Sequence, residues 1–455
     1  MDELRHLFRR AADHAADYRL SLPDRPVGVP VDQAALKEAF AGPLPDAPTP
    51  PEQVLAELVA AAEPGLVATA GPRYFGFVIG GASPAATAAD MLAAGWDQNA
   101  FNAVTSPAAV AAESAAGTWL KELLGIPATA SAGFVTGGQA ANTAGLAAAR
   151  HQVLADAGWD VERRGLSGAP AVRVFAGVER HATVDRSLRL LGLGTDALRP
   201  VPTGPQGAID PHALAAALRD AGPGPTIVCL QAGNVNTGAC DDLRRACDLV
   251  HRYGGWTHVD GAFGLWAAAS PSTRHLVDGL EAADSWACDG HKWLNLPYDT
   301  GFAFCARPDA HAAAMSLAAA YLVGSGGVPV GAELTAESSR RARGFAVWAG
   351  LRELGRDGVA ALVERCCALA RRFADGLTAA GFEVVNDVVL NQVLVGFGDD
   401  ARNDRVVAAV QADGTCWAGG TTWRGRRLMR ISVSNATTTE ADVDRSVAAI
   451  ARLAR

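Results

Sequence analysis

Four short stretches of this chain place reactive residue types close together. The first is Thr136-Gly137-Gly138-Gln139-Ala140-Ala141-Asn142, which opens an alanine-rich helical run. Glycines at a helix start let backbone N–H groups approach an anion, and the helix dipole favours negative charge there. The second is His181, in Glu179-Arg180-His181-Ala182-Thr183, just after an expected strand. The third is His258-Val259-Asp260-Gly261-Ala262, an acid at the carboxyl end of an apolar run beside two small residues. The fourth is Cys288-Asp289-Gly290-His291-Lys292-Trp293. A lysine in an apolar, aromatic-flanked turn is uncommon, because lysine is rarely buried without a partner. Such an amine can have a lowered pKa and form a Schiff base with a carbonyl. Arginine bias sharpens the assignment: of 40 basic residues only Lys37, Lys121 and Lys292 are lysines. Lys37 and Lys121 fall on ordinary helix faces.

Taken singly, each stretch has an everyday explanation: a loop-to-helix turn, a structural histidine, a helix N-cap. Together they describe one ligand. A phosphate cradle, a ring-stacking imidazole, a carboxylate for a pyridinium nitrogen and an aldehyde-binding lysine are what pyridoxal phosphate (PLP) requires. The carboxylate keeps the ring nitrogen protonated, so the ring can accept electrons from a carbanion. No GxxxxGK[ST] or GxGxxG at a first strand supports a nucleotide-binding alternative. A zinc hydrolase built on His251, His258, Asp260 and His291 would leave Lys292 without a role.

These side chains need a scaffold that brings distant segments to one edge. From about 105 to 310, helical runs alternate with short apolar runs at Ala171–Phe175, Thr226–Leu230, Thr257–Val259 and Gly301–Cys305. That alternation predicts an α/β fold with a mainly parallel sheet covered on both faces, its ligand at the carboxyl ends of the strands. Residues 340–455 alternate again and read as a small C-terminal α+β domain. The expected organisation is a helical N-terminal arm over 1–70, a large ligand-binding α/β domain over 71–335, and the small domain over 336–455. The arm cannot bury both faces alone, so it should pack on something else, a second subunit included.

Composition removes several function classes. A net charge of -8 argues against non-specific nucleic-acid binding. No apolar run reaches membrane-spanning length, and the first twenty residues lack an apolar signal core. The eight cysteines form no CxxC pair, so neither a disulfide scaffold nor a structural zinc site is expected, and a reducing cytoplasm fits.

The chain resembles the fold-type-I, group II PLP-dependent amino acid decarboxylases, which include glutamate, cysteine sulfinate and aromatic amino acid decarboxylases. The likeness runs from about Pro72 to the end. Its most specific piece is His258-Val259-Asp260-Gly261-Ala262-Phe263-Gly264, followed about thirty residues on by His291-Lys292-Trp293. Arg73-Tyr74-Phe75, Ser106-Pro107, the Arg340-Arg341 pair and Arg430-Ile431-Ser432-Val433-Ser434-Asn435 support it. The resemblance implies that Lys292 binds the cofactor aldehyde and that His291 touches its phosphate, with backbone N–H groups from Gly138 and Gln139. It implies His181 stacked on the ring, Asp260 on the ring nitrogen and Ala262 packed against the ring. It puts Arg430 on the substrate carboxylate and Ser339 on the phosphate of a neighbouring subunit. It also implies a homodimer with shared active sites, acting on an amino acid as its small-molecule substrate.

Two positions depart from the family pattern, and a third bears on the substrate. Gly233-Asn234-Val235-Asn236-Thr237-Gly238 stands where the family often has Gly-Thr-Thr, so Asn234 or Asn236 is the candidate near the cofactor's phenolic oxygen. The loop 323–337 carries no tyrosine, whereas many family decarboxylases use one there to return a proton; Tyr321 lies at its base. The reaction is therefore expected to be decarboxylation, with aminotransferase, aldehyde synthase or carbon-carbon lyase chemistry left open. Asn99 and Phe101, in the polar stretch Asp97-Gln98-Asn99-Ala100-Phe101-Asn102, occupy the family's side-chain pocket and lean the expectation toward a polar substrate. A dead family member serving as a scaffold is the non-enzymatic alternative.

Overall fold

The computed structural model describes residues 2–28, 31–317 and 331–455. In chain order the first helices are α1 (Asp2–Ser21), α2 (Gln33–Ala39), α3 (Pro51–Ala62), α4 (Pro84–Trp96) and α5 (Pro107–Leu124). Alternation follows: β1 (Ser131–Val135), α6 (Gly138–Asp156), α7 (Val161–Arg164), β2 (Arg173–Gly177), α8 (Ala182–Leu190), β3 (Leu198–Val201), α9 (Pro211–Ala221), β4 (Thr226–Gln231), α10 (Leu243–Arg252) and β5 (Trp256–Asp260). Next come β6 (Ser285–Asp289), β7 (Gly301–Cys305), α11 (Pro308–Met315) and α12 (Gly344–Ala379). The last elements are β8 (Glu383–Val384), β9 (Gln392–Gly396), α13 (Asp400–Asp413), β10 (Gly419–Trp423), β11 (Arg426–Ser432) and α14 (Glu440–Leu453).

Two compact units result. The larger holds Gly80–Arg371 and Asn386–Val393. Its seven-stranded sheet has the order β1-β7-β6-β5-β4-β2-β3. Strands β3, β2, β4, β5 and β6 pair in parallel, as the alternation predicts. Only β7 runs against both its neighbours, β6 and β1. A short connection, residues 290–300, joins β6 to β7, and antiparallel pairing permits that where a parallel one would need a crossover helix.

Small residues let α6 lie close over this sheet. Ala141, Ala144, Gly145 and Ala148 are buried along it, and a Cβ on Gly145 would sit 2.6 Å from His258 Cε1. The sheet itself is filled with fully buried Phe134, Phe175, Trp256, Trp286, Phe302 and Phe304. Aromatic and β-branched side chains suit strands covered on both faces.

One buried ion pair ties the larger unit's helices to β1. Arg340 Nη2 donates to Glu113 Oε1 at 2.6 Å, Nη1 to the Phe134 carbonyl at 2.9 Å and Nε to the Ala100 carbonyl at 3.1 Å. Burial pushes the Glu113 carboxyl up, against the pull of Arg340.

The smaller unit holds the chain up to Ile79 with Arg372–Val385 and Leu394–Arg455. Its sheet has the order β10-β11-β9-β8. Arg73 is its clasp: the guanidinium donates to the carbonyls of Thr415, Pro23 and Arg25 and faces Asp442 at 3.7 Å. Tyr74 stacks on Trp417, and the Phe75 N–H donates to the Trp417 carbonyl at 2.8 Å. The N-terminal helices thus join the C-terminal sheet in one unit through Arg73. Yet α1 buries no residue, and Leu4, Phe8, Val54 and Leu58 are exposed.

Two stability predictions follow from these burials. Arg340→Met leaves a buried carboxylate unpaired and should cost about 3–5 kcal/mol in denaturant unfolding, part of it recovered by adding Glu113→Leu. Burial lowers the His258 pKa from 6.5 to about 4. Between those values the unfolded chain binds a proton that the folded chain does not, so stability falls as pH drops from 6.5 to 4. His258→Gln should flatten that acid limb in pH-dependent unfolding; an unchanged slope would place the proton uptake elsewhere.

Candidate active site

The carboxyl ends of β1, β5 and β6 meet at one edge of the larger unit's sheet. Gly301, the first residue of β7, pairs with both Val135 and Asp289. Its backbone lies so close to the turn before α6 that an added Cβ would be 2.5 Å from Gly137 Cα. This approach brings the α6 N-terminus to Asp289. Asp289, the last residue of β6, is buried and gathers three groups. Lys292 Nζ lies 2.8 Å from Oδ2, the Gly138 N–H donates to Oδ1 at 2.5 Å, and His291 Nε2 is 3.5 Å from Oδ1.

His291 is oriented by its other nitrogen. Nδ1 accepts the Thr300 N–H at 3.1 Å, which leaves the proton on Nε2, facing Asp289. Burial pulls the His291 pKa below its ordinary value, with Asp289 opposing. The Tyr298 ring stacks on the imidazole at 4.4 Å, and burial pushes its phenol up to about 12.

Asp260 ends β5 and is nearly buried. Its Oδ1 accepts the Ala262 N–H at 3.2 Å, and its Oδ2 lies 3.4 Å from the Thr183 hydroxyl. A hydrogen-bonded chain runs back from there into the core. Asn142 Nδ2 donates to Thr183 Oγ1 at 3.1 Å, His258 Nε2 reaches Asn142 Oδ1 at 2.8 Å, and Ser285 Oγ meets His258 Nδ1 at 2.9 Å. Trp256 Nε1 donates to Ser285 Oγ at 2.9 Å. An indole N–H can only donate, so this end fixes the chain's direction, and the neutral Nε2–H form of His258 completes it.

His181 caps the N-terminus of α8, with Nδ1 accepting the Thr183 N–H at 3.3 Å and lying 2.9 Å from the Thr183 hydroxyl. The ring is exposed and lines a small cavity with Arg180, Asp241 and Asp260. Asp241 accepts the N–H groups of Ile209 and Gln231, both at 2.7 Å, and burial lifts its carboxyl to about 6.

The structure therefore brings Lys292, His291, Gly138 and Ala262 together; a Cβ on Gly138 would be 3.5 Å from the Ala262 Cβ. Asp260 and His181 join them through Ala262 and Thr183. Gln139 follows Gly138 in the first turn of α6 and sends its side chain to Ser187 Oγ at 2.9 Å. Ser339 is exposed. Arg430 belongs to the smaller unit, on β11, where burial pulls its pKa down.

The polar stretch 97–102 is built for local turns, which corrects the basis for a polar pocket. Asn99 Oδ1 accepts the Arg340 N–H at 3.0 Å, and Asn102 Oδ1 accepts the N–H groups of Val104 and Thr105. Phe101 is half-buried in the same turn. Asn234 likewise spends its amide on its own turn and on the Glu179 carbonyl at 3.0 Å. Tyr321 and most of the tyrosine-free loop lie outside the described residues. The zinc alternative loses its geometry: His251 pairs with Asp284 at 2.9 Å and His258 with Asn142 and Ser285. Among the described residues no three acids, histidines or cysteines converge.

Asp289, Thr183 and Asn142 were given no role by the sequence. Asp289 had a signal, since it stands three residues before a lysine that needed a partner.

The fit to PLP can be judged from the donors. A Cβ on Gly137 would lie 2.8 Å from His291 Cε1, and one on Gly138 2.8 Å from Asp289 Oδ2, so the cradle accepts only glycine-sized backbone. A lysine amine, helix-start N–H groups, an imidazole Nε2–H and a separate buried carboxylate suit an aldehyde, a phosphate and a pyridine nitrogen. Comparisons with known proteins agree. Against tryptophan decarboxylase 1 of Oryza sativa subsp. japonica the chain is 28% identical, over 95% of its length and 90% of that protein's. Against phenylacetaldehyde synthase of Arabidopsis thaliana it is 26% identical, over 97% and 94%. The crystal structure of Oryza sativa TDC with PLP and tryptamine superposes with a TM-score of 0.93 at 26% identity, covering 100% of this chain and 98% of that one. Residues 34–397 match the pyridoxal-dependent decarboxylase conserved domain, and the chain belongs to that family of PLP-dependent decarboxylases.

Proposed function

We propose that the protein decarboxylates an L-amino acid with an aromatic side chain, giving an amine and CO2. The observation that carries the site is Lys292 Nζ held 2.8 Å from Asp289, beside the helix-start glycines and in the same sheet edge as Asp260. The aromatic preference rests on the relatives' names, tryptophan decarboxylase among them, and on the engagement of the Asn99 and Asn102 side chains with backbone N–H groups.

When bound, PLP supplies an electron sink for the pair left when a bond to the substrate's Cα breaks. The chain's own residues do the rest. Lys292 would hold the cofactor through its aldehyde carbon, its amine already placed at the cradle by Asp289. Gly138 and Gln139 N–H groups with His291 Nε2–H hold the phosphate, and Ser339 reaches the phosphate of a partner subunit. His181 would cover one face of the ring and Ala262 would pack against it. Asp260 keeps a proton on the ring nitrogen; Thr183 and the Ala262 N–H fix the carboxylate for that task. Arg430 would bind the substrate carboxylate, and Phe101 would border the side-chain pocket. The net change would replace the Cα–carboxylate bond with a Cα–H bond, with CO2 leaving and the proton supplied by solvent.

A second reading, oxidative release of an aldehyde, is favoured by the tyrosine-free loop 323–337 and by the relative named phenylacetaldehyde synthase. We place the protein in a reducing cytoplasm, where its eight unpaired cysteines would persist. We also propose a homodimer, in which the exposed Leu4, Phe8, Val54 and Leu58 of α1 and α3 are covered.

The deciding experiment gives the PLP-loaded protein tryptophan, tyrosine, phenylalanine, glutamate and aspartate in air, with products read by mass spectrometry. An aromatic amine with CO2 is expected; glutamate as the favoured substrate would overturn the aromatic assignment, and an aldehyde with ammonia would select the second reading. Lys292→Ala should abolish both turnover and the visible band of lysine-bound cofactor. Light scattering should return twice the chain mass, and Leu4→Glu with Phe8→Glu should shift it toward the monomer.

A further inference from the structure

The Asp289 carboxylate is engaged with the same three groups that the proposed roles assign to the cofactor. Its Oδ2 holds Lys292 Nζ at 2.8 Å, its Oδ1 takes the Gly138 N–H, and His291 Nε2 stands 3.5 Å away. The side chain is 2% exposed, so water screens it little. A phosphate at the start of α6 needs that same N–H, and it brings negative charge against a buried carboxylate. The walls around that N–H are close. A Cβ on Gly137 would already crowd Asp289 Oδ1 at 3.2 Å, and Ala262 closes the other side of Gly138.

Resting on the reading of Lys292 as the aldehyde-binding amine, we infer that Asp289 is an internal competitor for the cofactor's phosphate. It must give up the Gly138 N–H as PLP enters, and it thereby tunes how tightly and how fast the cofactor loads. Asp289 is a positioning residue in this account. It holds Lys292 at the cradle, and it makes loading sensitive to the charge on the incoming group.

The test compares PLP with pyridoxal, which has the same aldehyde and ring but no phosphate. Binding to the full-length protein is followed by the absorbance band of the lysine-bound cofactor, with no substrate present. Asp289→Asn keeps the shape and can still accept the Gly138 N–H. It should tighten PLP binding by about tenfold, the scale of one like-charge contact removed, while pyridoxal changes by less than about threefold. Asp289→Ser provides the same comparison if the amide variant folds poorly. Equal gains for both ligands would place the effect on Lys292 alone and overturn the inference, as would weaker PLP binding in both variants. If the wild-type protein forms no such band, and borohydride fixes no cofactor on Lys292, the assignment of Lys292 falls and this inference with it.

Discussion

The geometry of the site depends on how closely two backbones approach at Gly137 and Gly301. Gly301 is hydrogen-bonded in register with Val135 on one side and Asp289 on the other. Its Cα hydrogen faces the turn that starts α6, with no room for a methyl group. Because that contact is fixed, the first N–H of α6 must point at the end of β6. The alanines and glycines along α6 extend the same close approach down the sheet, over His258. A larger residue at any of these points would lift the helix and carry the anion-binding N–H away from Lys292.

Around this contact the buried polar groups are ordered by direction as well as by distance. Starting at the Trp256 indole, the donors run through Ser285, His258 and Asn142 to Thr183, whose hydroxyl lies between His181 Nδ1 and Asp260. A neutral histidine suits the middle of such a chain, and burial keeps His258 neutral. The Asp260 carboxylate is thus placed by residues drawn from β5, β6, α6 and α8. Buried groups satisfied in this way rigidify a core. Arg340 with Glu113 does the same for α5 and β1, at the cost of desolvating two charges.

Much of this was legible in the sequence. The parallel strands and the placing of Asp260 and Lys292 at the carboxyl ends of neighbouring strands follow from apolar periodicity and from two motifs. Other features were hidden for physical reasons. The polarity of a strand leaves no mark on its composition, so β7 could not be read as antiparallel. Thr183 and Asn142 look like ordinary helix-start residues, because their partners are distant in sequence. The stretch 97–102 misled in the opposite sense: its asparagines suggested a polar ligand, and they are spent on their own turn and on the backbone of Arg340. Asx side chains commonly serve turns in this way.

The antiparallel β7 has one more consequence. Lys292 sits in a connection whose two ends, Asp289 and Gly301, are paired neighbours in the sheet. Inside it the N–H groups of Gly290 and His291 both donate to the Thr300 carbonyl, and those of Asn295 and Leu296 donate to Lys292 and Gly290. The lysine is therefore borne on a stapled hairpin rather than on a strand-to-helix loop. Its amine can swing only by rotating its own four-carbon stem, which is motion on the picosecond-to-nanosecond scale rather than the slower opening of a loop. The backbone amides beneath it should exchange with deuterated solvent as slowly as those of the central strands, so the Lys292 amine stands on one of the more static parts of the larger unit.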